Sequence, residues 1–183
     1  MSKTKKIILS GLLLAILIIL SRFISIKTPI LVISFSFIPI MMSAILLGPK
    51  YSCIIAALGD LIGALLFPFG AYFVGFTIFQ AVVGLIYGLF LYNKTEGEFY
   101  TGKSLLIRLI LSSMIVLGII ELPCMSLMLH FLYGNAFLVI LSGRIVAKLV
   151  LFPIQIIVIY FLSTTCLPLT KKYIFNNDTE LED

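Results

Sequence analysis

The sequence predicts an all-α, polytopic membrane protein with six transmembrane helices and no soluble domain. Of its 183 residues 61% are hydrophobic and 11% charged, with a mean hydropathy of +1.21, which is more apolar surface than a soluble domain of this size could bury. The apolar runs are long and continuous rather than alternating. That selects helices over barrel strands, because lipid offers the backbone no partner outside its own helix. Finally, Lys and Arg fall at alternate ends of the runs, so the formal charge of +5 speaks to membrane topology and not to a nucleic-acid partner.

A basic N-terminus, residues 1–6 with Lys3, Lys5 and Lys6, precedes an apolar run from Ile7 to about Leu20. No small-residue cleavage site follows, so the run reads as a first membrane helix with a cytoplasmic start rather than a signal peptide. Later runs predict spans near 30–48, 51–67, 71–92, 104–130 and 137–167, within a single domain covering residues 1–183. The stretch 173–183 reads as an acidic, solvated tail. With six spans, one side of the membrane holds Lys3, Lys5, Lys6, Lys50, Lys94, Lys103, Arg108, Lys171 and Lys172, nine of the thirteen basic residues. The positive-inside bias therefore predicts a cell-membrane protein with both termini cytoplasmic.

Small residues recur at four-residue spacing: Gly11 with Ala15, Gly59 with Gly63, and Gly84 with Gly88. Such ridges let helices approach closely in lipid, where packing must replace the missing hydrophobic drive. The second and third pairs are expected inside the bundle, the first on an outer face open to a partner. Between the second and third spans, Gly48-Pro49-Lys50 is a turn; Pro68-Phe69-Gly70 closes the third.

Several patterns are read as carrying no chemistry. Gly97 to Ser104 fits the GxxxxGK[ST] phosphate-loop pattern, but that mechanism needs a buried strand and a soluble α/β fold, and here the stretch joins two membrane spans. Cys53, Cys124 and Cys166 lie in apolar runs without metal-ligand or CxxC spacing, and His130 has no ligating residue at helical spacing, so no metal or cofactor is expected. No nucleophile–base arrangement is discernible, so the chain does not read as an enzyme.

The ionisable residues inside the spans are Arg22, Asp60, Glu121, Arg144 and Lys148. Each costs about 2.5–3.5 kcal/mol on insertion scales unless paired or facing water, and such residues mark a ligand pathway or interhelical ion pairs. Arg22, Arg144 and Lys148 lie in the outward half, at the level of Phe35, Phe37, Phe69, Tyr72, Phe76 and other aromatic residues. Cations for a carboxylate and aromatic faces for a flat ring describe a site for an anionic, partly aromatic small molecule.

The chain then resembles a known family. Arg22-Phe23, Ser34-Phe35-Ser36-Phe37-Ile38-Pro39-Ile40, Gly48-Pro49, Asp60 with Gly63, Leu66 to Phe73, Gly75-Phe76-Thr77, Gly84 to Gly88, Tyr133-Gly134, Arg144-Ile145 and Pro153-Ile154-Gln155 look like folate-type substrate-binding (S) components of energy-coupling factor transporters. No single motif decides it; their order and spacing do. The resemblance implies a six-helix S component that captures a vitamin, folate first, from outside. Its partners would be a transmembrane coupling protein and two ATPases, with toppling of the S component in the membrane as the transport step. It implies coupling-protein contact at Gly11 and Ala15, with glycine where alanine is usual, and gating by the loops at about 23–30 and 67–73. Arg22 and Arg144 are expected to meet carboxylate, Phe69, Tyr72 and Phe76 to pack the ring, and Asp60 to make a polar ring contact or support a loop. Where the family commonly has Leu-Asn-Thr-Leu-Trp-Leu, this chain has Cys124 to Leu129, it contains no tryptophan, and Val74 replaces a frequent proline. Glu121, one turn away, adds a carboxylate that could select a different headgroup. The alternatives are therefore the same transporter class for another vitamin or precursor, or a structural membrane protein whose charges are only interhelical pairs.

Overall fold

The computed structural model describes residues 2–27, 32–68, 72–95, 98–134 and 137–171. Phe69, Gly97 and the expected acidic tail thus lie outside the described residues. Among the described residues five helices are long and apolar enough to cross a membrane: α1 (Lys3–Arg22), α3 (Pro49–Leu66), α4 (Val74–Leu91), the continuous helix Gly102–Leu132, and α7 (Phe137–Thr170). The sixth apolar helix, α2 (Phe37–Leu47), has only 11 residues.

The predicted second span, 30–48, is corrected by this. Its N-terminal part belongs to a two-stranded antiparallel ladder in which β1 (Ser25–Lys27) pairs with β2 (Val32–Ser34), Ile26 facing Ile33 in register. The expected loop at 23–30 is therefore partly a hairpin. Its β-branched residues suit a ladder, and pairing satisfies backbone groups that a loop entering lipid would leave bare. The start of α1 also differs: Ser2 caps it, accepting the Lys5 N–H at 3.4 Å, so the basic residues are already helical.

α2 is apolar all round, and every residue from Pro39 to Leu47 is buried, as expected of a helix enclosed by others. It packs against α1, α3, α4 and α7 and forms the centre of the core through Met41, Ala44 and Ile45. Ser43 and Ser52, both fully buried, donate to the Ile40 carbonyl at 2.7 and 3.2 Å, so neither hydroxyl is left bare. The turn between α2 and α3 uses Gly48 at φ 86° and Pro49 at the first helical position, where its missing N–H costs nothing.

Two glycine seams join α1, α3 and α4. Cβ atoms at Gly84 and Gly88 would collide with the backbone of Ser52 and Pro49, which brings α4 hard against α3. Cβ atoms at Gly59 and Gly63 would strike the Leu17 and Arg22 side chains of α1. Both pairs therefore lie inside the bundle, as their spacing predicts. Gly11 meets nothing within 4 Å and, like Ala15, is exposed.

The fifth span is not a uniform α-helix. α5 (Gly102–Ile115) passes into a π-helical segment, Val116–Cys124, and resumes as α6 (Met125–Tyr133). Pro123 cannot donate to the carbonyl of Ile119, and the Cys124 thiol donates to that carbonyl at 3.1 Å. The Met125 N–H reaches back five residues to Ile120, the hallmark of the wider turn.

Candidate ligand-binding site

Arg22 is the last residue of α1 and crosses to α3. Its guanidinium lies 3.8 Å from the Asp60 carboxylate and donates to the main-chain carbonyls of Asp60 at 3.3 Å and Phe67 at 3.4 Å. Gly63 provides the space, since a side chain there would occupy the guanidinium position. Phe23 stacks edge-to-face on Phe67 with centroids 5.0 Å apart, a second tie between the outer ends of the two helices.

Asp60 also reaches α4. The Thr77 hydroxyl donates to its carboxylate at 2.8 Å; having spent its one proton, Thr77 accepts from the Tyr72 hydroxyl at 2.9 Å. Tyr72, Thr77, Asp60 and Arg22 thus form a polar relay across the ends of three helices. Beside it lies a crevice of about 40 Å³, lined by Ser21, Arg22, Ser36, Gly59, Asp60 and Gln80 among others. That is room for water rather than for a drug-sized ligand, whose sites measure about 300–1,000 Å³. Phe76, half-buried, makes an edge-to-face pair with Phe73 at 6.2 Å.

A second polar group lines the inward face of α7. The Lys148 ammonium pairs with the Glu121 carboxylate on the π-segment, and the Arg144 Nε–H donates to the Glu121 carbonyl at 3.3 Å. Further along that face, the Gln155 amide donates to the buried Tyr87 hydroxyl at 2.9 Å. Arg144 is 9% exposed, so it stands behind Glu121 rather than lining an opening.

The expected residues therefore divide: Arg22, Asp60 and Tyr72 share one network, Glu121 and Arg144 another, and Gly11 and Ala15 lie apart on α1. Thr77, Gln80 and Gln155 were not singled out as site residues. Thr77 is seventeen residues from Asp60, across a helix–loop–helix reversal, and no periodic signal pairs residues at that separation. Among the described residues no group of three His, Cys, Asp or Glu could hold a metal ion.

A sequence model of the S component of ECF-type riboflavin transporters matches residues 1–168. The chain belongs to the S components of energy-coupling factor transporters. This S component is 38% identical over 160 residues to the folate transporter FolT of Clostridium novyi (strain NT), covering 87% of this chain and 88% of that one. It is 32% identical over 179 residues to the folate transporter FolT of Leuconostoc mesenteroides, covering 94% and 92%. A crystal structure of FolT bound with folic acid superposes with a TM-score of 0.78 at 35% identity, covering 88% of this S component and 93% of that chain. Its relatives are transporters, so this S component is a multi-pass transport subunit and not an enzyme.

Proposed function

We propose that this S component binds folate from outside the cell and delivers it by docking on a transmembrane coupling protein with two ATPases. The observation that carries the reading is the likeness, along 88% of the chain, to a FolT structure holding folic acid. The family description names riboflavin, whereas both curated relatives are named for folate. Chemistry favours folate: a cation at the mouth of the bundle suits a carboxylate, which riboflavin lacks.

In this reading Arg22 leaves Asp60 to meet a ligand carboxylate, gaining charge-assisted hydrogen bonds worth about 1.5–3 kcal/mol each before dehydration. Tyr72 and Phe76, with Phe69, pack the aromatic rings. Asp60 holds the loop after α3 through Thr77 and Tyr72, and Glu121 contacts the ligand from the opposite wall. Arg144, expected at the carboxylate, is assigned instead to positioning Glu121, because it is buried against that residue's carbonyl. Both termini face the cytoplasm, and Gly11 with Ala15 contacts the coupling protein.

Equilibrium binding to the purified chain tests this, read from quenching of tyrosine fluorescence. Saturable one-to-one binding of folic acid is expected. Binding of riboflavin with no response to folic acid would reassign the vitamin, and failure to copurify a coupling protein and ATPases would remove the importer assembly.

A further inference from the structure

Glu121 is the one acidic residue of the fifth span, and its surroundings say which way it faces. On α7, Arg144, Lys148 and Gln155 share one side, and each has a polar partner within the bundle: the Glu121 carbonyl, the Glu121 carboxylate and the Tyr87 hydroxyl. The alternate side of α7, with Ile145, Val146, Leu149 and Val150, is exposed and apolar, as a lipid-facing surface must be. The Glu121–Lys148 pair therefore faces the interior. It is not sealed there: the two side chains retain 30% and 18% exposure, and intramembrane charges face the bundle interior or water rather than lipid. The wall is also adjacent to the first network. Met128, on the α6 continuation of the same span, packs where a Gly75 side chain would stand, two residues before Thr77.

We propose that Glu121 and Lys148 together read the pyrimidine edge of the ligand and select a 2-amino-4-oxo ring over a 2,4-dioxo ring. This rests on the folate reading above and adds the residues that discriminate. A 2-amino-4-oxo pyrimidine presents two adjacent N–H donors, from the amino group and N3, followed by a carbonyl. A carboxylate accepts both donors side by side, and the neighbouring ammonium donates to the carbonyl. A 2,4-dioxo edge, as in a flavin, offers one N–H between two carbonyls, so one carboxylate oxygen faces an oxygen with no proton between them. Lys148 already occupies the Glu121 carboxylate. The Arg144 bond to the Glu121 carbonyl fixes the π-turn from which the carboxylate projects. A site built around such donors discriminates strongly against an analogue lacking them, because its own buried groups are left unpaired.

The test is competition of pterin and of lumazine, its 2,4-dioxo analogue, against folic acid on the full chain. Wild type should prefer pterin by at least about tenfold. Glu121→Gln replaces one acceptor with an amide donor, which suits a carbonyl beside an N–H, so the preference should vanish or reverse in favour of lumazine. Equal competition by the two rings on wild type needs no variant and would overturn the proposal. So would a folded Glu121→Gln chain that loses affinity for both rings equally, the behaviour of a merely structural ion pair. Saturable folic acid binding combined with either result leaves the folate reading standing. Riboflavin binding without folic acid binding removes both.

Discussion

Arg22 illustrates how one side chain is made available by another residue's absence. Its guanidinium occupies the volume that a side chain at Gly63 would fill, and it spans two carbonyls and a carboxylate of α3. Arg22→Ala should weaken folic acid at least about tenfold, about 1.4 kcal/mol, in a chain whose melting temperature confirms folding; unchanged affinity would remove the carboxylate assignment. Gly88→Leu makes the opposite test of space. It drives a branched side chain into the backbone of Pro49, and overpacking of this kind costs about 1–3 kcal/mol, read as a lowered melting temperature in detergent. A variant as stable as wild type would mean the α3–α4 seam is looser than described. At this scale the sequence was informative about which residues matter and less so about whom they meet. Arg22, Asp60 and Glu121 stand out because a charge among apolar neighbours is conspicuous. Thr77 does not, because a threonine in a membrane helix ordinarily satisfies its hydroxyl locally, and only the fold brings it 2.8 Å from Asp60.

The fifth span is the element whose regularity the sequence overstates. Hydropathy alone predicts one helix over 104–130, and the apolar run is indeed continuous, but Pro123 removes a donor and the helix widens over Val116–Cys124 to accommodate it. Pro123→Ala restores the missing N–H and allows an ordinary α-turn. The expected result is equal or higher thermal stability together with weaker ligand binding, because closing the wide turn rotates Glu121 relative to α6. Weaker binding with lower stability would instead place the effect in general packing. The hairpin escaped prediction for a related reason. Its strands, Ser25–Lys27 and Val32–Ser34, are too short for an alternation signal and abut apolar helices, so they merge into the flanking spans.

For the whole molecule, composition and long apolar runs make the class and span order legible in the sequence. The short α2 was less so, since a helix buried on all sides and one exposed to lipid on all sides have the same apolar sequence. The proposed sidedness puts Lys94 in the cytoplasm: Lys94→Cys in a cysteine-free background should resist a membrane-impermeant thiol reagent in intact cells and react after permeabilisation. Labelling in intact cells would invert the topology. Assembly is tested by Leu at both Gly11 and Ala15, which should abolish copurification of the coupling protein and ATPases and leave folic acid affinity within about twofold. Copurification that survives would move the docking surface elsewhere.

The seam formed by Gly59 and Gly63 has a mechanical consequence. Close contact with Leu17 and Arg22 leaves α1 no slack against α3, so α1 behaves as a strut. Gly11 and Arg22 sit on that strut eleven residues apart, about 16 Å along the axis at 1.5 Å per residue. A load applied near Gly11, the proposed docking site, is therefore borne at the Arg22 end with little loss, so the end proposed to grip the vitamin cannot stay still while the other is pulled.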